Sequence, residues 1–155
     1  MSYDHAGLIS FLRKVYQCDW DGFHGINHWN RVACNGKAIG RLQGLKSTDL
    51  LIVNLFSYLH DSCRQNETED INHGPRAAVM AWDLNGLCYD LSKRGIDKLC
   101  DAIAGHSYGA ISNDVTIQTC WDADRLDLGR VGITPSNKYI SKIAININYE
   151  LSGCS

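Results

Sequence analysis

The dipeptide His60-Asp61 lies within an ordered series of metal-binding side chains. His28 precedes it in GINHWNRV, His73 and His106 follow it, and WDADRLDLGR supplies Asp122 and Asp124. A neutral imidazole nitrogen and a carboxylate oxygen are donors for Zn, Mn, Fe, Co or Ni, and one carboxylate can bridge two ions. Taken singly, each histidine reads as a hydrogen-bonded structural residue. Jointly, in this order and number, they ask for a buried divalent-metal site and hence a metal-dependent enzyme. Cys63 and Cys120 stand beside these residues as soft donors in principle, but small buried side chains are the plainer reading.

Charged residues cluster near the same positions. Arg64 follows Asp61 by three and Arg76 follows His73 by three. A guanidinium offers phosphate a planar bidentate fork, so both are expected to bind substrate, with Arg31 and Lys37 weaker because their helix turns them toward solvent. The polar segment SCRQNETEDIN brings Glu67, Glu69 and Asp70. Glu67 is the preferred general acid or base among them.

Helical periodicity must position these groups. Leu8, Ile9, Leu12, Val15 and Tyr16 recur at three- and four-residue steps, predicting a helix over about 4–17. A second, from about Asn27 to Leu42, carries His28 in its first turn. A third, over 49–60 and capped by Ser47 or Thr48, is so densely apolar (LLIVNLFSYL) that it reads as buried nearly all round, although a buried strand would look similar. Pro75 suits the first turn of a fourth. Further helices are expected from Gly95 or Ile96 to Gly105, from Val115 to Leu128, and after a Ser136 cap, where AININYEL leaves a short strand open. The fold class is all-α, with six to seven helices in one domain over 1–155 and ligands delivered from several helix ends.

Composition sets the class. Apolar content of 45% and charged content of 21% are ordinary for a soluble globular protein. A formal charge of -2 advertises no nucleic-acid surface, and the pattern specifies no oligomeric state. The start MSYDHAGLIS lacks the basic and apolar blocks of a signal peptide, and the apolar run near Leu50 is too short to span a bilayer. Seven cysteines without a CxxC pair suit reduced thiols in the cytoplasm.

His28, then His60-Asp61, then the ADRL of residues 123–126, resemble the HD superfamily of metal-dependent phosphohydrolases, whose pattern is H…HD…D on a helical domain. The resemblance covers about 24–135. It implies metal ligation by His28, His60, Asp61 and Asp124, with Asp122 the rival, set to cap or orient a ligand. HGPRAA, with His73, and the later His106 resemble the metal-rich branch, in which Asp61 would bridge two ions. A single ion, with His73 and His106 touching phosphate or acting as acid and base, stays open. The implied activity is hydrolysis of a nucleotide or other small phosphorylated metabolite by a metal-activated water. Asp61, Arg64, Glu67 and His106 are the expected catalytic residues, with Arg64, Arg76 and Tyr108 binding substrate. Relatives with the six-residue set include di-iron oxygenases, so that chemistry is an alternative, as is a nucleotide-binding sensor without turnover.

Three further expectations follow from neighbouring residues. Arg125 is expected to pair with Asp127 inside DADRLD. His24, flanked by Gly22 and Gly25, reads as a loop or cleft residue rather than a ligand. Trp29, Trp82 and Trp121 read as core anchors, with Trp29 and Tyr108 the two aromatics close enough to the histidines to stack a base.

Overall fold

The helical periods are realised as seven α-helices in the computed structural model, which describes residues 2–152, with side chains to residue 147. In chain order they are α1 (His5–Val15), α2 (Ile26–Leu42), α3 (Ser47–Leu59), α4 (His73–Leu84), α5 (Lys93–Gly105), α6 (Val115–Arg125) and α7 (Lys142–Ser152), with a 3-10 turn at Leu128–Val131. Among the described residues no strand forms, and Tyr3 and Tyr89 make only an isolated bridge. AININYEL lies within α7, so its alternation does not produce a strand.

The apolar helix α3 is the axis of the bundle. Ile52, Val53 and Leu55 to Leu59 are all buried, and α2, α5 and α6 pack around it while α4 packs chiefly on α5. Trp29, Phe56, Leu99 and Ile103 fill the space between these helices.

Several helix ends differ from expectation. Lys46, not Ser47 or Thr48, precedes α3, and no side chain caps it. Instead Ser47 and Thr48 are already helical. α6 ends at Arg125 and tightens into the 3-10 turn. α7 starts after Ser141, whose hydroxyl accepts from the Ala144 N–H at 3.3 Å. Ser136 accepts from Lys138 in a turn instead. Trp29 and Trp121 are buried as expected, but Trp82 is largely exposed, with the Lys93 ammonium over its ring.

Gly36 fixes the spacing of the three helices that carry His28, His60 and Asp124. A Cβ there would lie 2.5 Å from Val53 Cγ1 on α3 and 3.5 Å from Ala123 Cβ on α6, so only hydrogen lets α2 approach this closely. Gly36→Val, which gains little helix propensity over glycine, is expected to cost about 1–3 kcal/mol by overpacking, read from the urea midpoint. Asp114 caps α6 by accepting from the Thr116 and Ile117 N–H groups at 2.9 and 3.1 Å. Burial opposes its charge, but these bonds and Lys98 outweigh burial and hold its carboxyl below the usual range. That stabilisation is therefore present above about pH 4 and fades as the pH falls through the lowered value. Asp114→Ala should lose about 1 kcal/mol at neutral pH and progressively less in acid, measured by urea titration.

Candidate metal centre

Five helix ends meet at one place because the bundle alternates direction. His28 is in the first turn of α2 and His73 opens α4, while His60 and His106 cap the C-termini of α3 and α5 and Asp124 lies in the last turn of α6. A helix C-terminus leaves carbonyls without intrahelical partners, and here the capping histidines use them. His60 Nδ1 donates to Phe56 O and Ser57 O, both at 3.1 Å, and His106 Nδ1 donates to Ile103 O at 2.7 Å. One contact thus satisfies the helix end and fixes the ring. His73 Nδ1 donates to Asp70 O, and His28 Nδ1 donates to Asp127 Oδ2 at 2.7 Å.

With every Nδ1 committed as donor, the neutral rings present Nε2 lone pairs inward. These atoms form two groups. In one, His28 Nε2 lies 3.1 Å from His60 Nε2, and both lie 3.4–3.7 Å from Asp61 Oδ2 and Asp124 Oδ1. In the other, His73 Nε2 is 2.9 Å from His106 Nε2, and they lie 3.0 and 3.5 Å from Asp61 Oδ1. Asp61 therefore turns one oxygen to each pair of histidines.

Acceptors facing acceptors in a buried site repel unless positive charge lies between them. Asp124 Oδ1 is buried without a hydrogen-bond partner. Burial opposes the charge of Asp61 and Asp124, yet His60 and the surrounding histidines outweigh it and hold both carboxyls well below the usual range. Burial pushes His60 down, toward the neutral ring that a metal needs. It also opposes charge on His28 and His106, where the neighbouring carboxylates win and raise both. Imidazole and carboxylate donors converging on unsatisfied oxygens fit a divalent transition metal.

The other expected residues divide. Arg64 is buried, with Nη1 3.8 Å from Asp61 Oδ1 and Nη2 donating to Thr68 O at 2.8 Å. Glu67 lines a cleft with Asp19, Phe23 and Arg130, both its carboxylate oxygens buried and unpartnered. Arg76 is not brought to the centre: it donates to Cys63 O and pairs with Asp70. Tyr108 is 64% exposed in the loop after α5, and Trp29 is sealed among Tyr16 and Trp20. Asp122 points away from Asp124, accepting from Gln118 and the Ser141 N–H.

Three contacts were not read from the sequence. Asp127 pairs with Arg31 and His28 rather than with Arg125, because Arg125 turns to the carbonyls of Tyr139 and Ala110. The place of Asp127 three residues after Asp124, one turn on along the helix expected to reach Leu128, is the available signal. His24 Nδ1 lies 3.1 Å from Asp61 Oδ2, delivered by a turn between glycines rather than by a helix, so its spacing of four from His28 carried no helical meaning. Arg130 ties that turn down by donating to Phe23 O at 2.8 Å, with Nη2 3.3 Å from His24 Nδ1. A cleft of about 580 Å³, lined by Asp19, Phe23, Asn27, Arg31, Glu67 and Arg130, adjoins these contacts.

This arrangement of helices has a counterpart among solved structures. The chain is similar to the 1.45 Å crystal structure of a predicted HD superfamily hydrolase from an uncultured Thermotogales bacterium, with a TM-score of 0.70 and 21% identity, over 96% of this chain and 87% of that one. The chain has the HD fold. No protein-family profile and no curated protein matches the sequence. Within the HD fold, His60 and Asp61 fall where the axial helix ends, at the meeting point of the other helix termini.

The Asp127–His28 contact supplies a test. Outer partners of metal-binding histidines typically change affinity by tenfold to a hundredfold. Asp127→Asn should weaken Zn²⁺ binding by that factor, measured by competition with a chromophoric chelator.

Proposed function

We propose that this chain is a metal-dependent phosphohydrolase, a single domain that cleaves a phosphoester of a nucleotide or other small phosphorylated metabolite. The observation that carries the reading is the convergence of His28, His60 and Asp124 on one buried point, with Asp61 Oδ2 3.6 and 3.7 Å from the two imidazoles and Asp124 Oδ1 unpartnered. These four residues would hold the metal. A divalent ion held by these residues would lower the pKa of a bound water toward neutrality and polarise a phosphoryl oxygen.

The chain's own groups account for the rest. The Nδ1 anchors hold four rings without further reorganisation, the preorganisation that electrostatic catalysis depends on. Arg64 puts a permanent positive charge beside Asp61, where the charge of a phosphoryl group is to be stabilised. Glu67, unpartnered and on the cleft wall, is the proton acceptor that positions the attacking water, and His106 is the second acid–base group. The cleft's volume of about 580 Å³ is within the range of small-ligand sites, about 300–1,000 Å³. A cytoplasmic setting agrees with the six described cysteines, all free thiols; Cys154 lies outside the described residues. No described helix is long and apolar enough to cross a membrane.

One observation favours a second reading. Asp61 directs its two oxygens at separate histidine pairs, the geometry of a bridging carboxylate, which a di-iron oxygenase also needs. The two readings separate by elemental analysis of protein purified without added metal, followed by a phosphoester panel with that metal. Phosphate release is expected, with Asp61→Ala losing both metal and turnover. Full turnover by that variant, or O₂-dependent product formation by iron-loaded protein, would overturn the hydrolase reading.

A further inference from the structure

The two groups of donors around Asp61 are not electrostatically equal. The His28–His60 group has Asp61 Oδ2 and Asp124 Oδ1, with the Asp127 carboxylate behind His28. The His73–His106 group has only the shared Asp61, through Oδ1. Its rings are anchored on the neutral carbonyls of Asp70 and Ile103. The nearby Asp70 carboxylate is already taken by Arg76 and the Gln65 N–H.

Into this second group the chain inserts its own cation. Arg64 is 7% exposed, and its Nη1 lies 3.3 and 3.5 Å from the two ring nitrogens of His73 and 3.8 Å from Asp61 Oδ1. His73 Nδ1 already donates to Asp70 O, so this nitrogen cannot accept from Arg64. The guanidinium is held instead by Thr68 O, with Nε buried and unpartnered. An arginine cannot relieve such a position by losing its proton. Its charge therefore falls on the oxygen of Asp61 that a second ion would need.

On the reading that this centre holds a transition metal, we infer that Arg64 is a tethered substitute for a second cation. The His28–His60 group keeps one ion tightly. The His73–His106 group takes another only weakly, against the guanidinium. Removing the charge of Arg64 frees Asp61 Oδ1 and should tighten the second site on the order of a hundredfold, toward the lower end of what Coulomb's law gives for a unit charge within a few ångström of a divalent ion. The same residue then supplies in catalysis the positive charge that two-ion sites draw from their second metal. Carboxylate-rich and arginine-guarded halves of one centre thus have different tasks.

The test is a Mn²⁺ titration of chelator-stripped protein, followed calorimetrically and by electron paramagnetic resonance, with ions counted after desalting. Wild type should retain one Mn²⁺ per chain and give the six-line signal of an isolated ion. R64Q should bind the second equivalent about a hundredfold more tightly and develop an exchange-coupled two-ion signal. R64K, which keeps the charge, should behave as wild type. Two equivalents retained by wild type after desalting would overturn the inference while leaving the metal reading intact, and that count needs no variant. So would an R64Q whose circular dichroism is native but whose second-site affinity is unchanged. A wild type that binds no Mn²⁺ at any concentration would end both the inference and the metal reading.

Discussion

Everything at this centre follows from one electrostatic constraint: buried acceptors have been turned toward one another. His28 and His60 present Nε2 atoms 3.1 Å apart, and His73 and His106 present theirs 2.9 Å apart. Asp61 and Asp124 add anionic oxygens to the same space. Water cannot screen these groups, so only positive charge makes the arrangement stable. On the proposed reading, the fold holds the groups together before a metal ion supplies that charge.

The HD fold does this with helix ends rather than loops. Helix C-termini carry both unsatisfied carbonyls and partial negative charge. Placing His60 and His106 there lets the last-turn carbonyls lock each ring, and three C-termini, those of α3, α5 and α6, turn the negative ends of their dipoles toward the same space. The helices can meet so closely because positions such as Gly36 remove side chains between them, and because α3 is buried from Ile52 to Leu59 apart from Asn54. Packing far from the chemistry therefore sets the donor distances.

Much of this was legible in the residues. The period of α1, α2 and α3 and the ordered His and Asp series gave the fold class and the residues that converge. Helical geometry says only that Asp122 and Asp124, two residues apart, face different directions; the choice of Asp124 rests on the resemblance of ADRL to the HD pattern. What escaped the sequence depends on side-chain direction across long separations. Arg76 lies three residues after His73 yet turns back to Asp70 and Cys63. Asp127 has Arg125 two residues before it but pairs with Arg31 and His28, almost a hundred positions earlier. His24 comes from an irregular turn held by Arg130, which no periodicity describes. α6 ends early because a 3-10 turn, a local tightening without a strong sequence signature, follows it, and α7 starts late because Ser141 rather than Ser136 caps it.

The asymmetry around Asp61 connects this geometry to chemistry. One side is rich in carboxylate, and the other is guarded by an arginine that cannot discharge. The account stands or falls on where a cation goes. Anomalous diffraction from a crystal of metal-loaded protein, collected at the edge of that metal, locates it directly. The account predicts the strongest peak within bonding distance of His28 Nε2, His60 Nε2, Asp61 Oδ2 and Asp124 Oδ1. No peak among these four atoms, or a stronger one elsewhere on the chain, would contradict it.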